Sequence, residues 1–172
     1  MNNHLKLLIK SQVPSDKLKI TRHVESEITV KWFPLISFGE HKTTIGLSTD
    51  AQWVINEKQG IRILDEPWKY LRLLVLLEQA KNTVHDSLKE ALVNYNIFVD
   101  LEDVFPFFEI VKIGFEQKSD YWVELALNWF VELSLNKQSE LLDSLFEIVN
   151  ARWASQKLRH RVRKIIRNIE QK

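Results

Sequence analysis

The spacing of apolar and polar positions is that of β-strands in the N-terminal part of the chain. Ile28, Val30 and Trp32 occupy alternate positions, which is the pattern of a strand with one buried face. Further on, the apolar runs on either side of Glu57–Gly60 predict a β-hairpin with its turn at these residues. Residues of about 25–64 are therefore predicted to form a small β-rich part.

Pro34 follows the first of these strands directly. Because proline has no backbone N–H to donate to a neighbouring strand, it predicts that this strand lies at an edge of the sheet or ends there. The apolar positions of Leu5–Ile9 and of Leu18–Val24 fit a helix and a strand equally well, so the pattern leaves both segments open.

From Pro67 onward the apolar positions follow the period of an α-helix. Proline and capping side chains mark the starts of six predicted helices, near residues 67, 83, 103, 120, 137 and 152. Helices joined by such short turns pair as antiparallel hairpins, here three, in a helical-repeat-like stack or in a bundle. The tryptophans near the helix starts have no fixed spacing, so we find no sequence repeat.

These elements predict an α+β fold that is mainly α. The two predicted parts are the β-rich residues 1–65 and the helical residues 66–172, and a chain of 172 residues is short enough for both to form a single compact unit. A chain of this length buries about 70% of the surface that its unfolded form exposes, so it needs no metal or disulfide to fold.

The composition excludes several kinds of chemistry. The chain has no cysteine, which excludes disulfides, thiolate zinc sites and cysteine nucleophiles. Its first residues lack the long apolar core of a signal peptide. The longest uninterrupted apolar run is Leu73–Leu77, far shorter than the roughly 20 residues of a membrane span. We therefore expect no membrane partner and a cytoplasmic location.

Charge is distributed unevenly along the chain, although the formal net charge is only +1. Residues 1–99 carry a net charge of +2, residues 100–151 a net charge of −8, and residues 152–172 a net charge of +7. Five of the eight arginines lie in the last of these segments. Such asymmetry concerns the partners of a protein and their approach rather than its fold.

The last predicted helix is amphipathic. Its apolar residues form one stripe at the helical period: Leu158, Val162, Ile165, Ile166 and Ile169. Lys157, His160 and most of the nearby arginines cover the rest of its surface. We predict partner-binding contacts from this helix and from the tryptophan that precedes it: Arg159, Arg161, Arg163, Lys164, Arg167 and Trp153.

Three interpretations of these cations compete. In the first, the helix closes the domain, and its charges face water or the acidic helices before it. In the second, the cations bind the phosphates of a nucleic acid, which would make binding weaken steeply with salt. Single-strand binders also place aromatic side chains among the cations, and only Trp153 could serve here. In the third, the helix binds an acidic protein surface.

No catalytic or metal-binding pattern is present. The chain has no G-x-S-x-G, Walker or G-x-G-x-x-G motif, and its histidines have no zinc-ligand spacing. Asp100, Glu102 and Asp103 form an acidic cluster, but it lacks the loop of a calcium site and suits the start of a helix. His23 with Glu25 or Glu27 could form an acid–base pair, although surface charges are the simpler interpretation. We expect no cofactor, no metal and no catalytic residue. A hydrolase with scattered carboxylates, which would show no motif, is a third class that the sequence leaves open.

Six tryptophans are unusual for a chain of this length. Core packing accounts for most of them, because each indole can bury about 150–250 Å². We expect Trp32 and Trp53 to be half-exposed, because polar residues flank them on their predicted strands.

Taken together, these features predict a non-catalytic protein-binding module, such as an adaptor, an inhibitor or an immunity-type protein. Its candidate contacts are the arginines of the last helix and the acidic surface of the third to fifth helices. The alternative is a nucleic-acid-binding protein that uses the basic C-terminal helix. A homodimer is a further possibility, because the −8 and +7 segments of two copies could meet.

Overall fold

A computed structural model describes residues 3–39 and 43–171. Its five-stranded antiparallel sheet has its strands in sequence order. The strands are β1 (Lys19–Arg22), β2 (Thr29–Phe38), β3 (Thr43–Ser48), β4 (Trp53–Glu57) and β5 (Gly60–Ile63). Just after β1, the backbone N–H of Val24 donates to the carbonyl oxygen of Ile61 on β5 (3.0 Å). The sheet therefore curls into a half-barrel, and the predicted α+β class is confirmed.

The predicted hairpin at Glu57–Gly60 is confirmed, because these two residues pair at the ends of β4 and β5. One of the two alternatives predicted for Pro34 was wrong, because β2 does not end there but continues to Phe38. The other, an edge position, holds locally: β2 lies between β1 and β3 in the sheet, but at Pro34 its described pairing is with β3 alone. β1 pairs with β2 only as far as Trp32, and the pairing with β3 shifts register between Pro34 and Ile36. The missing N–H thus falls at an irregularity, which is a position where a strand tolerates proline.

The two open segments adopt different structures. Leu5–Ile9 belongs to helix α1 (Asn3–Gln12), and Leu18–Val24 contains β1. The α-helices that follow are α2 (Lys81–Val93), α3 (Leu101–Val104), α4 (Phe107–Glu116), α5 (Asp120–Phe130), α6 (Leu135–Glu140), α7 (Leu142–Asn150) and α8 (Gln156–Glu170).

The first predicted helix is a 3₁₀-helix, Pro67–Glu78, rather than an α-helix. Its buried leucines are Leu73, Leu74, Leu76 and Leu77. Leucines three positions apart share a face in a 3₁₀-helix, which has three residues per turn. The 3₁₀-helix therefore places Leu73 with Leu76, and Leu74 with Leu77, on common buried faces.

Two further predicted helices are divided. The third is split into α3 and α4, because Pro106 disfavours helical geometry in Phe105, whose backbone is extended (φ −97°, ψ 139°). The fifth is split into α6 and α7 at Leu141, where ψ is 5°. The prediction of six helices therefore does not match the division that the described residues show.

The described residues divide into two compact units. The first contains the described part of Met1–Lys69 together with Asn82–Phe105, and the second contains Tyr70–Lys81 with the described part of Pro106–Lys172. Asn82–Phe105 thus groups with the sheet, whereas the sequence pattern placed it in the helical part 66–172. The predicted domain boundary itself stays a prediction.

Each unit has an aromatic centre. In the first, the rings of Phe33 and Tyr95 meet edge to face at 4.8 Å between centroids. In the second, the rings of Trp129 and Phe107 pack at 5.7 Å between centroids. Helices α4, α5, α7 and α8 all belong to this second unit. There α4 packs against α5, and α7 packs against both α4 and α8.

Candidate functional site

α8 is positioned by an N-terminal cap and a buried stripe. The hydroxyl of Ser155 accepts a hydrogen bond from the backbone N–H of Leu158 (3.2 Å), which caps the helix. Leu158, Val162 and Ile166 recur at the helical period and are buried. The expected amphipathic helix is therefore present, although it begins at Gln156 rather than near residue 152.

A polar stripe on α5 holds α8 in place. Asp120, Glu124 and Asn128 follow one another at one-turn spacing, and the carboxylate of Asp120 accepts a hydrogen bond from the backbone N–H of Ser155 (3.1 Å). The guanidinium of Arg161 donates to the Glu124 carboxylate, to the Glu124 carbonyl oxygen (3.2 Å) and to Asn128 Oδ1 (2.6 Å). Arg161, one of the predicted partner contacts, is thus engaged within the chain.

Removing the Arg161 side chain is expected to lower the free energy of unfolding by about 1 kcal/mol, because Glu124 and Asn128 lose their donor. Solvent screening keeps the effect small, since the side chains of Arg161 and Glu124 are 36% and 30% exposed. Urea unfolding of Arg161→Ala, Glu124→Ala and the double variant forms a cycle with an expected coupling of about 0.5–1 kcal/mol. Arg167→Ala is the control, with an expected change below about 0.5 kcal/mol. Strictly additive losses would contradict the contact.

The solvent side of α8 carries basic residues that we call the α8 cationic face. Its members are exposed, and within the described residues none forms an ion pair: Lys157, His160, Arg163, Lys164 and Arg167. Arg159 was also predicted as a contact, but it is half-buried at the margin of this face. The structure thus brings together Arg163, Lys164 and Arg167 of the predicted contacts, with Lys157 and His160 beside them.

Most of these cations do not stabilise α8 itself, although Arg167 in the last turn complements the negative end of the helix dipole. Arg159, Arg163 and Arg167 follow one another at four-residue spacing, where like charges repel by about 0.2–0.5 kcal/mol per pair. Lys157 and Arg159 lie in the first turn, at the positive end of the helix dipole, and this turn contains no acidic residue. A helix selected only for stability would place carboxylates at some of these positions.

The exposed surface of α7 and of the end of α6 carries the opposite charge. Asp143 and Glu147 lie one turn apart on α7, and Glu140 precedes them at the end of α6; we call these three the α7 acidic surface. All three are exposed, and within the part of the chain that the structure describes none forms an ion pair. Phe146, 43% exposed, lies on the same helix. Because α7 packs against α8, one helix pair displays both an acidic and a cationic surface.

Trp153 lines a pocket of about 210 Å³, which we call the Trp153 pocket. The half-buried indole is joined there by two buried apolar side chains and three charged ones: Phe115, Ile148, Glu116, Lys118 and Glu147. These residues come from α4, from α7 and from the segments that follow the two helices. The charged residues of this pocket have no signal in the sequence, because their positions are separated in the chain and match no motif.

The expectation that Trp32 and Trp53 are half-exposed was wrong. They are 1% and 5% exposed, and Trp129 is fully buried as well. The indole N–H of Trp32 donates to the hydroxyl of Thr21 (2.9 Å), and that of Trp53 donates to the carbonyl oxygen of Val104 (2.6 Å). Polar residues beside a tryptophan on a strand point to the opposite face, so they do not expose it.

His23 does not pair with either neighbouring carboxylate. Its Nδ1 accepts a hydrogen bond from the backbone N–H of Glu25 (3.1 Å). The Glu25 carboxylate binds Arg62, and the Glu27 carboxylate binds Arg22 at 2.5 Å. Both carboxylates are therefore held by guanidinium groups, and the proposed acid–base pair is not formed.

The acidic cluster at residues 100–103 caps a helix. The carboxylate of Asp100 accepts a hydrogen bond from the backbone N–H of Glu102 (2.9 Å) at the start of α3. Within residues 3–39 and 43–171, no group of three or more histidine, aspartate or glutamate side chains is arranged to hold a metal ion.

Ion pairs account for the clearest pKa shifts among the described carboxyl groups. A hydrogen bond from Lys69 (2.6 Å) holds the pKa of Asp65 below its ordinary value, and the same contact raises the pKa of Lys69. Lys6, 2.6 Å from Asp50, lowers the pKa of Asp50 in the same way. The hydrogen bond within a structural ion pair is thus the largest cause of each of these shifts.

Among the described helices, none combines the length and the apolar character needed to cross a membrane. Comparisons of the chain with protein families, with curated proteins and with solved structures found no match.

Proposed function

We propose that this protein is a non-catalytic protein-binding module that recognises an acidic surface of another protein through the α8 cationic face. The observation that carries the proposal is the shared exposure of Arg163, Lys164 and Arg167 on a helix whose opposite side is buried. An adaptor, an inhibitor and an immunity-type protein are the classes of protein that it covers. We expect the protein to act in the cytoplasm.

The anchoring of α8 suits this function. Leu158 and Val162 are completely buried, and Arg161 joins α8 to α5, so the helix is held in one position before a partner arrives. A preorganised surface loses little freedom on binding, which leaves more of the interaction energy for affinity. The planar guanidinium groups of Arg163 and Arg167 match the geometry of carboxylates and can each donate two parallel hydrogen bonds.

The α7 acidic surface favours a protein over a nucleic acid as the partner. A nucleic acid is uniformly negative along its backbone, and Asp143 and Glu147 would repel it where α7 packs against α8. A protein can carry cations opposite α7 and carboxylates opposite α8, and complementary fields of this kind guide specific association. The members of the α8 cationic face also include no tryptophan, tyrosine or phenylalanine on which bases could stack.

The helical-repeat-like stack of three antiparallel hairpins is likewise a proposal. The packing of α4 against α5, and of α7 against α8, supports the pairing of consecutive helices in the second unit. A paired arrangement would place the α7 acidic surface and the α8 cationic face on a single hairpin.

Reversing two charges of the α8 cationic face, with Arg163→Glu and Arg167→Glu together, is expected to weaken partner binding by about tenfold or more at low salt. The partner is first captured on the immobilised wild-type chain, then purified and titrated by isothermal calorimetry at two salt concentrations. We expect the wild-type affinity to fall as salt rises, because the contacts pair charges near the surface.

The matched control reverses Lys89 and Lys112, exposed lysines of α2 and α4, with the same change in net charge. Lys89→Glu with Lys112→Glu should bind the partner as the wild type does. Equal affinity for all three chains would contradict the proposal. So would binding of duplex DNA or single-stranded RNA, in a mobility-shift assay, that is lost only with Arg163→Glu and Arg167→Glu and falls steeply with salt.

A further inference from the structure

We infer that the Trp153 pocket receives an arginine side chain of the partner protein. The inference rests on the proposed function in one respect, that the arginine belongs to another protein. The pocket itself is defined by α4, α7 and the segments after them, and α8 contributes none of the lining residues named here.

The size of the pocket suits one side chain. Its volume of about 210 Å³ is below the roughly 300–1,000 Å³ that is usual for sites of drug-sized ligands and cofactors. Phe115 and Ile148 are 4% and 3% exposed and provide an apolar surface. The half-buried Trp153 adds an aromatic ring that is partly open to solvent. An aliphatic stem can therefore be buried while its head remains near the charged residues.

The charged residues that line the pocket indicate that the polar end of the bound side chain is a cation. Glu116 and Glu147 are exposed, and within the described residues neither carboxylate forms an ion pair. Neither of them pairs even with Lys118, the cation of the same pocket. With Lys118 the three charges sum to −1. A cation over the face of a tryptophan is attracted by the ring, and two free carboxylates can accept its hydrogen bonds.

Arginine fits this combination better than lysine. Its planar guanidinium can stack on the indole of Trp153 and still donate to Glu116 and Glu147 in the plane of the group. A lysine ammonium has three donors but no plane to stack. Glu147 belongs both to this pocket and to the α7 acidic surface, and α7 packs against α8. The arginine of the partner should therefore lie beside those carboxylates of the partner that contact the α8 cationic face.

The peptide acetyl-Gly-Arg-Gly-amide is the probe, titrated into the full chain labelled with ¹⁵N. Binding is followed by the indole N–H signal of Trp153, which Trp153→Phe identifies among the six tryptophans. We expect a saturable shift in the millimolar range, weaker binding of the lysine peptide, and no saturable shift with the glutamine peptide. Glu116→Gln with Glu147→Gln should weaken arginine-peptide binding by about tenfold.

Glu140→Gln with Asp143→Asn removes the same charge from neighbouring helical surface outside the named lining, and should change binding by less than about twofold. Lys118→Gln removes the competing cation and should strengthen binding by about twofold. Equal binding of the arginine and glutamine peptides, or equal effects of the two carboxylate-to-amide pairs, would overturn the assignment of the pocket.

Two further measurements separate this inference from the proposed function. The chain with Arg163→Glu and Arg167→Glu should bind the arginine peptide at least as well as the wild type. Binding at the pocket can therefore be measured even if this variant no longer binds the protein partner. Sedimentation velocity should show that the wild type alone is a monomer. A dimer that dissociates with Glu116→Gln and Glu147→Gln would mean that the arginine comes from a second copy of this chain, against the inference.

Discussion

Replacing Gly46 by alanine is expected to lower the free energy of unfolding by about 3 kcal/mol. A Cβ atom at Gly46 would lie 2.2 Å from the carbonyl oxygen of Phe33 and 2.6 Å from Cε3 of the Trp32 ring. The carbonyl group cannot move away easily, because Gly46 and Pro34 are register partners in the pairing of β2 with β3. The ring is restrained too, since its N–H is bonded to Thr21 and only 1% of Trp32 is exposed.

Gly39 provides the matched control for this prediction. It has a φ of +71°, and no heavy atom would lie within 4 Å of an added Cβ. Gly39→Ala should therefore cost only the left-handed backbone conformation, about 1 kcal/mol. Urea unfolding followed by far-UV circular dichroism and tryptophan fluorescence measures both variants. If Gly46→Ala were no less stable than Gly39→Ala, Trp32 would not pack over β3 as the structure describes.

The sequence predicts local elements better than the contacts between them. The turn at Glu57–Gly60 is determined by residues that adjoin one another, so its signal is complete within a few positions. The environment of Trp53 is determined by Val104 and Phe105, about fifty positions away, which no local pattern contains. The role of Pro34 depends on where the pairing of β1 with β2 stops, and this register is equally non-local.

The same limit applies to the candidate site. The period of α8 predicts the buried stripe and, by exclusion, the cationic face. It does not predict that Arg161 binds Glu124 and Asn128, 37 and 33 positions earlier. A signal for that contact does exist, because Asp120, Glu124 and Asn128 form a polar stripe on an otherwise apolar helix. The Trp153 pocket has no comparable signal, since its residues come from separate segments.

Replacing Leu158 by alanine is expected to lower the free energy of unfolding by about 3 kcal/mol, within a usual range of roughly 2–5 kcal/mol for buried leucines. Leu158 is 0% exposed, so the substitution leaves a cavity between α8 and the core of the second unit. Its backbone N–H continues to donate to the Ser155 hydroxyl, so the cap of α8 is unaffected. The loss should appear in urea unfolding as a lower midpoint with an unchanged slope.

Lys164→Ala tests the opposite side of the same helix. Lys164 is exposed and has no ion-pair partner among the described residues, so its removal should change the free energy of unfolding by less than about 0.5 kcal/mol. A large difference between Leu158→Ala and Lys164→Ala is what an anchored helix with an accessible cationic face requires. Equal losses would mean that α8 is enclosed on both sides. The cations could then not meet a partner, and the proposed function would fail with them.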